Sequence, residues 1–330
     1  MTTPLQLDWG QAALQHRLAA LLPGLQVQVL AECGSTNSLL LERARAGGTA
    51  AGAAPLAACL LVAEHQTQGR GRQGKVWASA AGASLTFSLA LPLAPPRWDG
   101  LSLAVGLALA DALDPPASAA EPRSALAAWQ PSIGLKWPND LLLMTLPAPP
   151  IDSAAPPGLK VGGILIETVQ AGSQRWVVIG VGLNLAAQPP VTPPVTPPVT
   201  PPLAPTDAPP VALSWGYGSL QTLNPALTAP KVLAQLAPGL LQAVLAFEQA
   251  GFAPSQAGFA GRDVLAGRTV TTTLPDWPQG VADGVDETGA LWLRHAGQRR
   301  ALTSGEVSLR WVAAPQAEPP LDAAPARLPC

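Results

Sequence analysis

Charge is scarce in this chain. Aspartate, glutamate, lysine and arginine make up 12 % of its 330 residues, and the formal net charge is −2. That leaves no basic footprint for nucleic acid. Cysteine is scarcer. Cys33, Cys59 and Cys330 are odd in number and lack C-x-x-C spacing, which argues against a disulfide framework or structural zinc and fits a reducing compartment. His16, His65 and His295 are scattered, so no histidine metal centre is expected, and the metal ligands stay unknown. The start, MTTPLQLDWGQ, has no positive region followed by an apolar core, so no secretion signal is read. The apolar stretch 101–113 is too short to span a bilayer and carries Asp111. The expectation is a soluble cytoplasmic protein with no membrane partner.

Lysine and asparagine are also rare. There are four of each, against 15 arginines. In a chain crowded with alanine, glycine (31) and proline (38), such residues should persist where nothing else serves. Lys75, Lys136 and Lys160, and Asn37, Asn139 and Asn184, all fall in the motifs below.

The length suits one large domain and a small one. Residues 8–22 read as an amphipathic helix and 27–30 as a strand. A helix capped by Ser35 or Thr36 then ends near the glycines at 47–48. The continuous apolar run 58–64 reads as a buried strand. A glycine-rich loop, HQTQGRGRQGKVW, follows. Residues 84–93 alternate as a strand, and 98–113 form a helix. IGLKW and DLLLM read as strands joined across Pro138 and Asn139. Segments 160–169 and 175–185 look like an antiparallel pair. Residues 231–250 read as a helix interrupted or kinked near Pro238. From about 264 onward, short strands at 268–274, 279–286, 290–295, 298–303 and 306–312 suggest a small barrel or sandwich. Two low-complexity stretches, 145–158 and the PPVT repeats of 189–210, favour polyproline II and read as insertions.

Individually the motifs are ordinary. STN (35–37) is a helix cap. GRGRQG (69–74) offers backbone N–H groups and bidentate arginines to an anion, but is neither a Walker A loop nor a dinucleotide fingerprint. GVGLN (180–184) is a glycine-bearing strand end. As a set, STN, Gln66 with GRGRQG-x-x-W, LKWPND (135–140), K-x-x-GILIE (160–167) and G-x-G-x-N resemble a biotin–protein ligase, the biotin–[acetyl-CoA-carboxylase] ligase family. The resemblance covers roughly 26–312.

That resemblance implies an α+β catalytic domain, with a mixed, largely antiparallel sheet and flanking helices, followed by a small SH3-like β barrel. The boundaries expected are an N-terminal helical extension at 1–25, the catalytic domain at 26–263, the barrel at 264–312 and a disordered tail at 313–330. It also implies an ATP- and Mg²⁺-dependent reaction. The biotin carboxylate attacks the α-phosphate of ATP, and a lysine of a biotin carboxyl carrier protein domain then attacks the acyl carbon of biotinyl-AMP. No enzyme nucleophile is required.

Carried over by resemblance, Ser35, Thr36, Asn37 and Gln66 bind biotin, together with Arg70, Gly71, Arg72 and Lys160. Gly69, Arg70, Arg72, Asn139 and Asn184 bind ATP. Lys160, Arg72, Lys136 and Asp140 carry the catalysis. Lys136 and Asn139 are expected to donate to phosphates, Asp140 to hold the loop arginine or a magnesium water, and Trp77 to wall the pocket. Gln73 and Lys75 depart from a loop that more often carries arginine there. About 25 residues precede the catalytic region, roughly half of a winged helix-turn-helix, so specific DNA binding is not expected. A monomer or weak homodimer is expected. Two alternatives stay open: a lipoate–protein ligase, and a non-enzymatic module that binds partners through its proline-rich repeats.

Overall fold

The computed structural model describes residues 7–47, 57–116, 132–145, 147, 150–151, 156–186, 216–303 and 310–311. The PPVT repeats and the tail lie outside the described residues, as does part of the 145–158 insertion.

A seven-stranded sheet forms the body. Its strands are β1 (Gln26–Cys33), β2 (Cys59–Gln66), β3 (Ser84–Pro92), β4 (Ile133–Lys136), β5 (Asp140–Met144), β6 (Gly158–Ala171) and β7 (Gln174–Asn184), in the order β1-β2-β3-β7-β6-β5-β4. Only β1 and β2 run parallel; every other neighbour pair is antiparallel. The reason is connectivity. Helix α2 (Thr36–Gly47) crosses between β1 and β2, whereas β6 turns straight into β7 through Gly172 at φ 60°. This is the mixed, largely antiparallel α+β fold expected.

Two layers cover the sheet. On one face α1 (Gln11–Ala19), α3 (Leu101–Leu113) and α4 (Ala229–Ala250) pack on Leu60, Val62, Leu85, Phe87 and Leu89. On the other, α2 lays Leu40, Leu41 and Ala44 on Leu61, Ala90 and Val178. The alternation of β3 is present, but both of its faces are buried. Ser84, Thr86 and Ser88 point to the α2 side and are enclosed there. A buried polar face must be hydrogen-bonded, and its partners mark the site below.

Helix α4 is long and apolar enough to cross a membrane by length and composition. Its apolarity is spent inside the protein, where Val232, Leu233, Leu236, Leu240, Leu241, Val244 and Phe247 are buried. It runs unbroken through Pro238, where the sequence suggested an interruption.

Each outer strand of the sheet is engaged at one place on its free edge. Gln15 accepts from Val27 N–H (2.7 Å) and donates to the Leu25 carbonyl (2.5 Å), while Gln11 donates to the Val27 carbonyl (2.7 Å). At the far end, Leu135 N–H donates to the Arg262 carbonyl (2.7 Å) and Val264 N–H donates to the Leu135 carbonyl (3.0 Å). Arg262 is buried beside α5 (Gln256–Ala260) and donates to Asp111, Asp114 and the Ile133 carbonyl.

The C-terminal strands are β8 (Thr269–Thr271), β9 (Gln279–Val285), β10 (Leu291–His295), β11 (Gln298–Leu302) and β12 (Arg310–Trp311). They form one antiparallel sheet in the order β11-β10-β9-β8-β12, the small barrel unit expected. Val270, Ala282, Leu291, Leu293 and Leu302 join the same apolar core as the main sheet.

Candidate active site

One end of the site is neutral. Helix α2 begins at the end of β1, with Ser35 Oγ accepting from Ser38 N–H at 3.5 Å. Thr36 donates to Gln66 Oε1 through its backbone N–H (2.8 Å) and its hydroxyl (3.2 Å). Ser88 Oγ lies 2.7 Å from Thr36 Oγ1 and donates to Asn37 Oδ1 at 2.6 Å. Asn37 Nδ2 donates to the Leu165 carbonyl (3.2 Å) and to Glu167 Oε2 (3.0 Å). Ser35, Thr36, Asn37, Gln66 and Ser88 are all buried. Gly180 is glycine because a Cβ there would collide with the Asn37 amide.

The GRGRQG loop folds beside this cluster as a small hairpin. Trp77 N–H donates to the Gly69 carbonyl (2.9 Å), and Gly71 N–H donates to the Lys75 carbonyl (2.7 Å). A Cβ on Gly69 would strike the Trp77 carbonyl, so this glycine is sterically required. Gln73, at the tip, adopts φ 54°, a left-handed conformation costing about 1 kcal/mol for a side chain-bearing residue. Arg70 reaches back to Glu167 Oε1 (2.9 Å) and Ser38 Oγ (3.2 Å). Trp77 lies across the paired Gly163 and Gly182; a Cβ on Gly182 would overlap its indole. Its Nε1–H is buried with no partner.

The other end is charged. Asp140 Oδ1 sits 2.5 Å from Lys160 Nζ, and Asp140 Oδ2 sits 3.4 Å from Lys136 Nζ. Arg72 Nη1 donates to Asn139 Oδ1 at 3.3 Å. Asn139 Nδ2 donates to the Ile164 carbonyl (2.9 Å), and Ile164 N–H returns to the Asn139 carbonyl (3.0 Å). Lys136 is 8 % exposed. Burial lowers its pKa, Asp140 pulls it back up, and Lys160 and Lys75 push it down again. For Asp140, burial alone would raise the carboxyl, but Lys160 and Lys136 outweigh it and hold it below the usual carboxylate range. Burial also lowers Arg72, against Asp140. Lys160 projects from a backbone held on both sides: its N–H donates to the Gly216 carbonyl (2.8 Å), and its carbonyl accepts from Gly218 N–H (2.9 Å). Asn184 Nδ2 lies 3.4 Å from that same carbonyl.

Loop 69–74, corner 136–140 and Lys160 therefore meet at one place. Arg72 hydrogen-bonds Asn139 and also feels the charge of Asp140, whose two oxygens each face a lysine. The Asn139 amide N–H₂ is turned to Ile164, where it ties the turn to β6.

Residues 55–184 match the Biotin/lipoate A/B protein ligase family, and residues 266–310 match the Biotin protein ligase C terminal domain. The chain is 31 % identical to the biotin–[acetyl-CoA-carboxylase] ligase of Mycobacterium tuberculosis over 288 residues, 86 % of this chain and 88 % of that protein. It belongs to the biotin–protein ligase family. The ligase is also 31 % identical to the bifunctional ligase/repressor BirA of Escherichia coli, over 88 % of this chain and 75 % of that one. Its fold matches the biotin protein ligase of Aquifex aeolicus in complex with biotin and ATP, with a TM-score of 0.58 at 22 % identity, covering 87 % of this chain and 99 % of that one.

Two side chains of this candidate site went unassigned in the sequence. Ser88 joins Thr36 to Asn37; its signal was the buried polar face of β3. Glu167 links Asn37 to Arg70; it closes the K-x-x-GILIE motif but had no role there. The Gly216–Gly218 clamp on Lys160 follows a proline-rich stretch, and nothing in its sequence pointed to β6.

Proposed function

We propose that this ligase activates biotin as biotinyl-5′-AMP and transfers it to a lysine of a biotin carboxyl carrier protein domain. The observation that carries the reading is the polarity of one continuous site. A neutral, hydrogen-bonded end adjoins an end where Arg72, Lys136 and Lys160 gather around Asp140. A ureido ring needs neutral donors and acceptors. A carboxylate attacking a polyphosphate needs positive charge that is already in place.

In this reading Ser35, Thr36, Asn37 and Gln66 bind the ureido end. Arg70 and Gly71 close the flap over it. Lys160 bridges the biotin carboxylate and the α-phosphate, so it stabilises the charge in both half-reactions. Arg72, with Gly69 and Arg70, covers the phosphates, and Asn139 and Asn184 position the nucleotide. Lys136 adds charge from below. Asp140 keeps both lysines aimed before substrate arrives, which lowers reorganisation at the moment of reaction. Magnesium, when bound with ATP, screens the phosphates. Both Asp140 oxygens already face lysines, so magnesium would come in on the phosphate oxygens with waters filling its other positions, and Asp140 would reach it only through one of those waters.

The test is mass spectrometry of a purified acceptor domain incubated with the ligase, biotin and Mg-ATP. A single biotinyl addition on one lysine supports the reading; an unmodified domain sinks it. Pyrophosphate exchange with biotin and lipoate in competition separates the two ligase chemistries. The proposal includes action in the cytoplasm without sequence-specific DNA binding, which an operator gel shift would overturn.

A further inference from the structure

We infer that the C-terminal barrel braces the phosphate corner through Trp137, which makes Trp137 a positioning residue for the nucleotide. The inference rests on the reading of Lys136, Asn139 and Asp140 as the phosphate-facing corner. Trp137 sits between Lys136 and Asn139 in the β4–β5 turn and is fully buried. Its indole Nε1–H crosses to the barrel and donates to the Gly289 carbonyl at 3.1 Å. A buried indole N–H needs such a partner, and this one belongs to a stiff turn between β9 and β10.

Asp286 Oδ1 accepts from Thr288 N–H (2.9 Å), the Thr288 hydroxyl (2.7 Å) and Ala290 N–H (3.1 Å). The backbone adds Gly289 N–H to the Asp286 carbonyl (3.0 Å) and Asp286 N–H to the Ala290 carbonyl (3.0 Å). The turn is also wedged against the start of α3. A Cβ on Gly289, which has φ +84°, would lie 2.7 Å from Gly100 Cα. Two residues into α3, Ser102 Oγ donates to the Pro138 carbonyl at 2.9 Å. The corner is thus gripped at Trp137 by the barrel and at Pro138 by α3. Rotation of the turn would swing Lys136 and Asn139 together, because they flank the gripped pair. Donors misplaced by even about 1 Å lose much of their effect on a transition state.

The test uses the full chain and pyrophosphate exchange with ATP and biotin varied separately. Trp137→Phe keeps the ring and deletes the donor. Gly289→Ala displaces the acceptor, and Thr288→Val is the milder change to the same turn. Val270→Ala thins the barrel core on β8 as a stability control. The expected result is a KM for ATP raised on the order of ten-fold in Trp137→Phe and Gly289→Ala, and less in Thr288→Val, with KM for biotin within about two-fold. Val270→Ala lowers Tm and leaves KM for ATP unchanged. The brace is overturned if the turn variants lower Tm only, or shift both KM values together. If Lys136→Ala raises KM for ATP while the turn variants do not, the brace alone falls. If Lys136→Ala also leaves it unchanged, the phosphate reading of the corner falls with it.

Discussion

The two ends of the site are built on opposite physical terms. At the neutral end, Thr36, Asn37, Gln66 and Ser88 share a buried set of hydrogen bonds that Asn37 extends to Leu165 and Glu167. Such a set is rigid, and losing one member leaves the others unpaired at a cost of about 1–3 kcal/mol. At the charged end, Asp140 stands between two lysines, with Arg72 on its neighbour. Ion pairs of this kind can be given up to an incoming anion. One end therefore recognises by fixed geometry, and the other by charge that can be redirected.

The sharpest way to break that contrast is at Lys160. In Lys160→Ala, the adenylation rate should fall on the order of 10²–10³-fold, while stability changes by about 1 kcal/mol, because Lys136 still faces Asp140. Stopped-flow adenylation beside thermal unfolding checks this; equal losses in rate and stability would make Lys160 a structural residue. Next comes Ser88→Ala, which leaves Asn37 Oδ1 without its donor. KM for biotin should rise about ten-fold with kcat held; an effect on ATP instead would move Ser88 to the wrong end.

The third prediction concerns pH. Burial lowers the Lys136 pKa, so this cation loses its proton at a lower pH than an exposed lysine. KM for ATP should rise at alkaline pH before exposed lysines titrate, and Lys136→Arg should flatten the rise. The same shift makes the fold gain stability as pH climbs from the folded to the unfolded pKa, since a buried cation is being neutralised. The last prediction lies outside the site and leaves catalysis alone. Burial raises Asp263 to about 6, and its Oδ2 has no partner. The folded state then binds that proton more tightly, so stability is greatest below the unfolded pKa and falls as pH rises toward 6. Asp263→Asn should remove as much as about 3 kcal/mol of that slope, read by denaturant melts at pH 4 and 7.

The strands of the sheet were legible because they are long apolar runs. The 58–64, 160–169 and 175–185 segments became β2, β6 and β7 with small shifts at their ends. Element boundaries were set by contacts the pattern does not contain. Helix α1 begins at Gln11 rather than 8, because Trp9 Nε1 and Leu7 N–H both turn to Glu64 Oε1 and Gly10 bends the chain at φ 53°. Helix α3 begins after Gly100, not at 98, where the barrel turn presses on it. The last expected strand, 306–312, is described only at Arg310–Trp311. In the site, the motifs carried residue types and order. Pairing was invisible, since which oxygen of Asp140 meets which lysine depends on the register of β5 against β6.

The glutamines of α1 and the linker at 262–264 have a consequence for the protein among its neighbours. A sheet of this kind is a template at its outer strands, where unpaired amides invite a foreign strand. Here Val27 and Leu25 on one flank and Leu135 on the other are already engaged by the chain itself. An intruding strand would first have to evict a side-chain amide or peel away the tether to the barrel, so these flanks resist runaway stacking in a crowded cell.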